Sequence, residues 1–255
     1  MKLSSLSTIY QNKLTAYVLG ELPACSVFEV CEPGDPDWVY SEKTLHFTSI
    51  NGSTHRSNLL AIKRMRNKSS DINFVCWDET AQFRFLCSHY PNLYTLSMFE
   101  KLPGIMHSDL FRCAILAKYG GYYFDLKSGF SVKLPSFDSH HAVLINEKPG
   151  TNRLYQQLIA NWFLAGPPGE FFEKLHHSLF LNTQTTSQNK NENFSDFVKR
   201  TTGPVAVTEF VRSSEEKQSW VLDVLDHGGG EEGLYYQCRR SWVRTMIHPH
   251  YSRAY

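Results

Sequence analysis

The segment Ser108–Gly129, SDLFRCAILAKYGGYYFDLKSG, leaves this chain few ways to fold. Leu110, Phe111, Ala114, Ile115 and Leu116 recur at helical spacing and predict a helix over His107 to Lys118. Ser108 or Asp109 is placed to cap its start and Gly120 to end it. Gly120 and Gly121 allow a tight turn that sends the chain straight into Tyr122–Phe124, a buried strand with Asp125 at its carboxyl end and Leu126 to Gly129 as the loop leaving it. On the helix, Asp109 and Arg112 are three apart and share a face. The carboxyl edge of an open α/β sheet is where ligands bind, because loops and helix amino termini converge there. A carboxylate, a guanidinium, a glycine turn and a second carboxylate are thus brought to one rim.

The flanking sequence supplies the sheet this arrangement needs. Thr44–Ile50 reads as a strand, Ser57–Asn67 as a helix with a basic face, and Ile72–Trp77 as a second strand, a βαβ unit with a parallel pair. Ala142–Ile145 and Trp220–Leu225 are further strand candidates, and Arg153–Phe163 a helix giving way to a strand. Asn182–Ser195, rich in Asn, Thr, Gln and Ser, reads as a surface loop. The turn-rich stretch Glu32–Asp37 separates an N-terminal extension, residues 1–40, packed on a single domain, residues 41–255.

Composition narrows the function classes. Twenty-six Lys plus Arg against 25 Asp plus Glu give a formal charge of +1, so no global field recruits nucleic acid or an anionic membrane, and any phosphate binding is local. No run of 18 or more apolar residues offers a membrane span. The six cysteines are mostly scattered and read as reduced, and with no recognisable signal-peptide core the expected location is cytoplasmic. The glycine signatures of dinucleotide binding, of the P-loop and of the nucleophile elbow are missing, which disfavours a dehydrogenase or phosphohydrolase. The pairs His140–His141 and His176–His177 are read as no zinc site, since adjacent side chains on a strand point to opposite faces and no thiolate spacing accompanies them.

Asp109, Arg112, Gly120, Gly121, Tyr123 and Asp125 fall in the order Asp-x-x-Arg, helix, Gly-Gly-x-Tyr, two positions, Asp. This block resembles the glycosyltransferases whose sugar-binding region contains an Asp-x-Asp motif, a group that includes yeast initiating mannosyltransferases, capsular polysaccharide enzymes and clostridial toxin glucosyltransferase domains. Lys127 stands where their second Asp belongs. Leu45-His-Phe47 and Phe74–Asp78 look like the family's first two strands, Asn161 with the following Pro-Gly turn like its Asn-x-Phe segment, Thr202-Gly-Pro204 like its Thr-Gly-Pro turn, and His250–Tyr255 like its closing stretch, with Ala254 and Tyr255 substituted.

The resemblance implies a nucleotide-diphospho-sugar transferase fold of GT-A type, α/β, with a mostly parallel central sheet and flanking helices. Its nucleotide-sugar half would span about residues 41–135 and its acceptor-side half about 136–255. It implies a hexosyltransferase that moves a sugar from a nucleoside diphosphate to a glycan or other hydroxyl acceptor, with retention, in polysaccharide biosynthesis. A catalytically inactive sugar-nucleotide or glycan-binding module of the same fold is the alternative. Asp125 and Asn161 would be catalytic, and Asp109, Arg112, Gly121, Tyr123, Asp125 and Lys127 would bind the donor. Trp77 would border the base by stacking, or else be a packed aromatic, and His46 reads as a core histidine. Asp125 and His250 would hold Mn²⁺ or Mg²⁺ if a metal is used, a use that Lys127 puts in question; His250 could equally be a terminal surface residue.

Overall fold

The computed structural model describes residues 43–48, 62, 65, 67, 69, 71–125, 128–130, 134, 137, 141–147, 158–213, 221–226 and 234–236. The N-terminal extension, Lys127 and His250 lie outside the described residues, as does most of the helix expected over Ser57–Asn67. Of that helix, Ile62 and Met65 are helical and buried.

Strands β1 (Thr44–Thr48) and β2 (Asn73–Trp77) pair in parallel with Leu45 opposite Phe74. Strand β3 (Gly121–Phe124) joins the other edge of β1, also in parallel. The order continues through β7 (Phe163–Gly166), β5 (His141–Glu147) and β6 (Leu158–Ile159), with β8 (Val221–Asp226) also paired to β5. Here the sheet is mixed: β7 runs antiparallel to β3 and β5, β6 antiparallel to β5, and β8 parallel to β5. A second sheet pairs β4 (Ser128–Phe130) with β9 (Leu234–Tyr236). The α/β fold with flanking helices is as the sequence implied, and the parallel pairing belongs chiefly to the β2-β1-β3 side that carries the site.

The strands are apolar on both faces because both are covered. Leu45, Phe47, Phe74, Tyr122, Phe124, Val143, Ile145 and Phe163 pack to one side with Ile62 and Met65. The alternate residues Val75, Trp77, Tyr123, Leu144 and Leu164 face the helices. These helices are α1 (Glu79–His89), α2 (Leu96–Lys101), α3 (Gly104–Tyr119), α4 (Glu170–Thr185), α5 (Phe194–Thr201) and α6 (Pro204–Ser213). Residues 109–117 of α3 are all buried, since α1 and α4 flank the helix and the sheet lies beneath it.

Helix α3 begins at Gly104 rather than at His107, with Pro103 as its N-cap and no side-chain capping bond. Ser108 and Asp109 therefore lie inside the helix and cap nothing, which leaves the Asp109 carboxylate available for longer-range partners. Its end is as expected: Gly120 has φ 66° and donates to the Leu116 carbonyl. Gly121 follows at φ 92°, so the turn uses two consecutive residues in a region that disfavours side chains. A Cβ on Gly120 would also lie 2.6 Å from Pro168 Cδ and 2.9 Å from the Gly166 carbonyl oxygen. The Gly-Gly turn and the later Pro-Gly turn thus pack on each other, and Gly169 N–H donates to Ala117 O at 3.0 Å.

Two expectations change. Residues 158–159 and 163–166 are strand, so the helix expected from Arg153 cannot reach Phe163 and the strand expected after it comes earlier; β7 fills a central place between β3 and β5. The polar stretch Asn182–Ser195 is only partly loop: α4 runs to Thr185, and Asn193 caps α5 by accepting from Asp196 N–H at 2.9 Å.

Candidate donor-sugar site

Asp109 is 2% exposed, and its carboxylate is held from three directions. Oδ1 accepts from Arg112 Nη2 at 2.8 Å and Asn161 Nδ2 at 3.0 Å, and Oδ2 accepts from Thr202 Oγ1 at 2.7 Å. The sequence separates these groups widely; α3, the turn between β6 and β7, and the end of α5 bring them together. Burial pushes the Asp109 carboxyl up to about 6, against the opposing pull of Arg112 and Thr202. It remains mostly ionised at neutral pH.

Arg112 extends the cluster toward the rim. Nε donates to the Ser108 carbonyl at 3.3 Å, Nη1 donates to the Asn161 carbonyl, and Nη2 lies 3.3 Å from Asp125 Oδ1. Burial alone would lower the Arg112 pKa, but Asp125, Tyr123 and Asp109 outweigh it and hold the guanidinium charged. The Arg112 Cζ sits 4.7 Å from the centroid of the Tyr123 ring, a cation–π contact on the side facing β3.

Asp125 is the open end of this network. Its side chain is 28% exposed, against 3% for Asp109 and 5% for Arg112. It follows β3, with its N–H donating to the Trp162 carbonyl at 2.9 Å. The Tyr123 hydroxyl donates to Asp125 Oδ1 at 3.2 Å and bonds to Thr48 Oγ1 at 2.9 Å. Burial pushes the Tyr123 pKa up, so the phenol keeps its proton.

The structure therefore brings together Asp109, Arg112, Tyr123, Asp125 and Asn161, with Gly121 supplying the turn beneath them. Thr48 and Thr202 had not been singled out for a role in this cluster. Thr202 had a signal in its Thr-Gly-Pro setting, whereas Thr48 shows itself only through the β1–β3 pairing.

Trp77 is corrected. It is 1% exposed, its ring centroid lies 5.7 Å from Phe85 and 5.1 Å from Phe111, and its Nε1 donates to His46 Nδ1 at 3.2 Å. A base needs an open ring face, and the Trp77 ring is buried in the core. His46 is the expected core histidine: fully buried, in a backbone hydrogen bond with Gly120, and held to a pKa of about 3 by burial. His176 and His177 lie on α4 rather than on a strand; His176 is buried against Tyr94, its Nε2 2.7 Å from the phenol oxygen, while His177 is exposed.

Among the described residues no group of three or more His, Cys, Asp or Glu side chains is arranged to hold a metal ion. Asp125 is the carboxylate at the rim, and Arg112 already places positive charge 3.3 Å from it. Asp125 is thus one carboxylate toward a divalent cation among the described residues, and His250, the other expected ligand, lies outside them. No helix among the described residues is long and apolar enough to cross a membrane.

The architecture is similar in fold to glycosyltransferase domains of GT-A type. The UDP-bound glycosyltransferase domain of the YGT toxin superposes with a TM-score of 0.53 at 9% identity, over 73% of this chain and 80% of that one. The PaToxG glycosyltransferase aligns over 68% of this chain and 69% of its own at 16% identity, with a TM-score of 0.45. No curated protein sequence is matched. Residues 56–144 match the family described as the glycosyltransferase sugar-binding region containing a DXD motif. The matched span holds Asp109, Arg112, the glycine turn and Asp125.

Proposed function

We propose that this chain transfers a hexose from a nucleoside diphosphate sugar, UDP-linked in the first instance, to a hydroxyl of a glycan acceptor. The observation that carries the proposal is the buried Asp109–Arg112 pair running out to Asp125 at the carboxyl end of β3. Two carboxylates share one guanidinium, which leaves the cluster net negative. Such a cluster suits sugar hydroxyls, which donate hydrogen bonds, and the positive charge that grows on the anomeric carbon as the glycosidic bond to phosphate breaks. It does not suit the diphosphate itself.

The leaving phosphate needs donors from elsewhere, and Lys127, two residues past Asp125, is our candidate for one of them. Asn161 is fixed by Asp109 and Arg112 at its amide nitrogen and backbone carbonyl, and we assign it a place beside the reacting carbon. Retention fits best with departure and attack on one face, assisted by the leaving phosphate, since the carboxylates of this cluster are engaged by hydrogen bonds rather than poised as nucleophiles. We further propose a cytoplasmic role in polysaccharide assembly, on the sequence resemblance alone.

The test is release of nucleoside diphosphate from UDP-glucose, UDP-N-acetylglucosamine and GDP-mannose, with and without oligosaccharide acceptors. We expect turnover of at least one donor that is lost in Asp125→Asn. Binding of a donor with no turnover under any condition would overturn transfer and leave a binding module.

A further inference from the structure

We infer that Thr202 is a positioning residue for donor binding, its hydroxyl holding the Asp109 carboxylate in the orientation the sugar meets; the inference rests on the donor-site reading above. Thr202 follows α5 and is fully buried, and its Oγ1 donates to Asp109 Oδ2 at 2.7 Å across the molecule. The other carboxylate oxygen takes Arg112 and Asn161. Without Thr202, Oδ2 would lose this donor in a setting that admits little water, and the carboxylate would be free to rotate.

The backbone around Thr202 is built to hold that hydroxyl. Its N–H donates to Val198 O at 2.9 Å, and Gly203 N–H donates to the same carbonyl at 3.0 Å. A Cβ on Gly203 would come within 2.7 Å of Lys199 Cα, so the chain turns there in space only glycine fits. Pro204 then opens α6. The sequence Thr-Gly-Pro thus has a physical reading: the threonine reaches Asp109, the glycine lets the turn close, and the proline starts the next helix. The charged groups facing Asp109 are Arg112 from its own helix and Asp125 from the end of β3, while Asn161 and Thr202 contribute neutral donors from the opposing elements. Removing Thr202's donor leaves the Asp125 charge and burial acting on Asp109 with one fewer opposing interaction.

The experiment compares Thr202→Val, which keeps shape and removes the hydroxyl, with Thr202→Ser, which keeps the hydroxyl. Carbon-13 NMR of the aspartate carboxyl groups in the full chain, with Asp109→Asn used for assignment, follows Asp109 with no donor present. We expect its midpoint to rise in Thr202→Val and to return toward the natural value in Thr202→Ser. Calorimetry with UDP-glucose, UDP-N-acetylglucosamine and GDP-mannose should then show donor affinity roughly ten-fold weaker in Thr202→Val and near natural in Thr202→Ser. In an Asp109→Asn background, Thr202→Val should add little further loss. An unchanged Asp109 midpoint in folded Thr202→Val, or equal donor loss in the Val and Ser variants, overturns the inference. If the natural protein binds no donor while the midpoint still shifts, the donor-site reading fails and the Thr202–Asp109 link stands as a structural one.

Discussion

Replacing Arg112 by Met keeps most of the side-chain stem and removes the charge, which isolates what the guanidinium does. Asp109, 2% exposed, loses its 2.8 Å ion pair and retains Asn161 and Thr202 as neutral donors. Breaking a buried pair from one side costs about 3–5 kcal/mol, a large share of the roughly 5–15 kcal/mol that holds a domain folded. Asp125 adds less, because its side chain is 28% exposed and water screens it. The cost depends on pH in a definite direction. The folded Asp109 carboxyl is already raised to about 6, above its ordinary value, so its contribution to stability is fully present below the unfolded pKa and is lost as pH rises through about 6. Removing Arg112 raises the folded value further, and the variant escapes part of its penalty by protonating Asp109. Urea unfolding should therefore show a midpoint lowered by about 1 M or more at pH 8, with a clearly smaller difference at pH 5. The double variant Asp109→Asn/Arg112→Met should recover part of the loss. A natural midpoint at pH 8, or a deficit as large at pH 5 as at pH 8, would refute this account of the cluster.

Gly121→Val should destabilise the fold by more than about 1 kcal/mol, since φ 92° is strained for a β-branched residue; thermal melting checks it, and a natural melting point removes the turn argument. Trp77→Phe should leave nucleotide-sugar affinity unchanged by calorimetry while lowering stability, because the indole packs in the core and donates to His46; a ten-fold affinity loss would return Trp77 to the donor site. Turnover should persist at about half its rate or better in EDTA and become Mn²⁺-dependent in Lys127→Asp, since exchanging ammonium for carboxylate changes the charge beside the diphosphate by two units; complete loss in EDTA with full rescue by Mn²⁺ would refute it. Deleting His248 to Tyr255 should abolish transfer and leave the circular dichroism spectrum largely intact, and natural transfer by the truncated chain would remove the tail from the site.

The sequence by itself determined the helix–glycine turn–strand unit from α3 to β3, because each step has a local cause: apolar spacing for the helix, two glycines for the turn, an aromatic run for the strand. It also placed Asp125 at a carboxyl edge and put Asp109 and Arg112 on one helical face, consequences of fixed backbone periods. The β1–β2 parallel pair was legible for the same reason. Only the tertiary structure decided that Asp109 is a buried centre rather than a helix cap, because that depends on where α3 begins and on partners from distant elements. Asn161 and Thr202 reach Asp109 through the packing of the β6–β7 turn and the α5–α6 junction, and no local spacing encodes such a meeting. Trp77 shows the same limit from the other side: an aromatic at a strand end serves as platform or core according to what covers it, and Phe85 and Phe111 cover it here. Leu158, Ile159 and Phe163, read as the end of a helix, are likewise strand because β6 and β7 find places beside β5, a long-range pairing that local spacing does not encode.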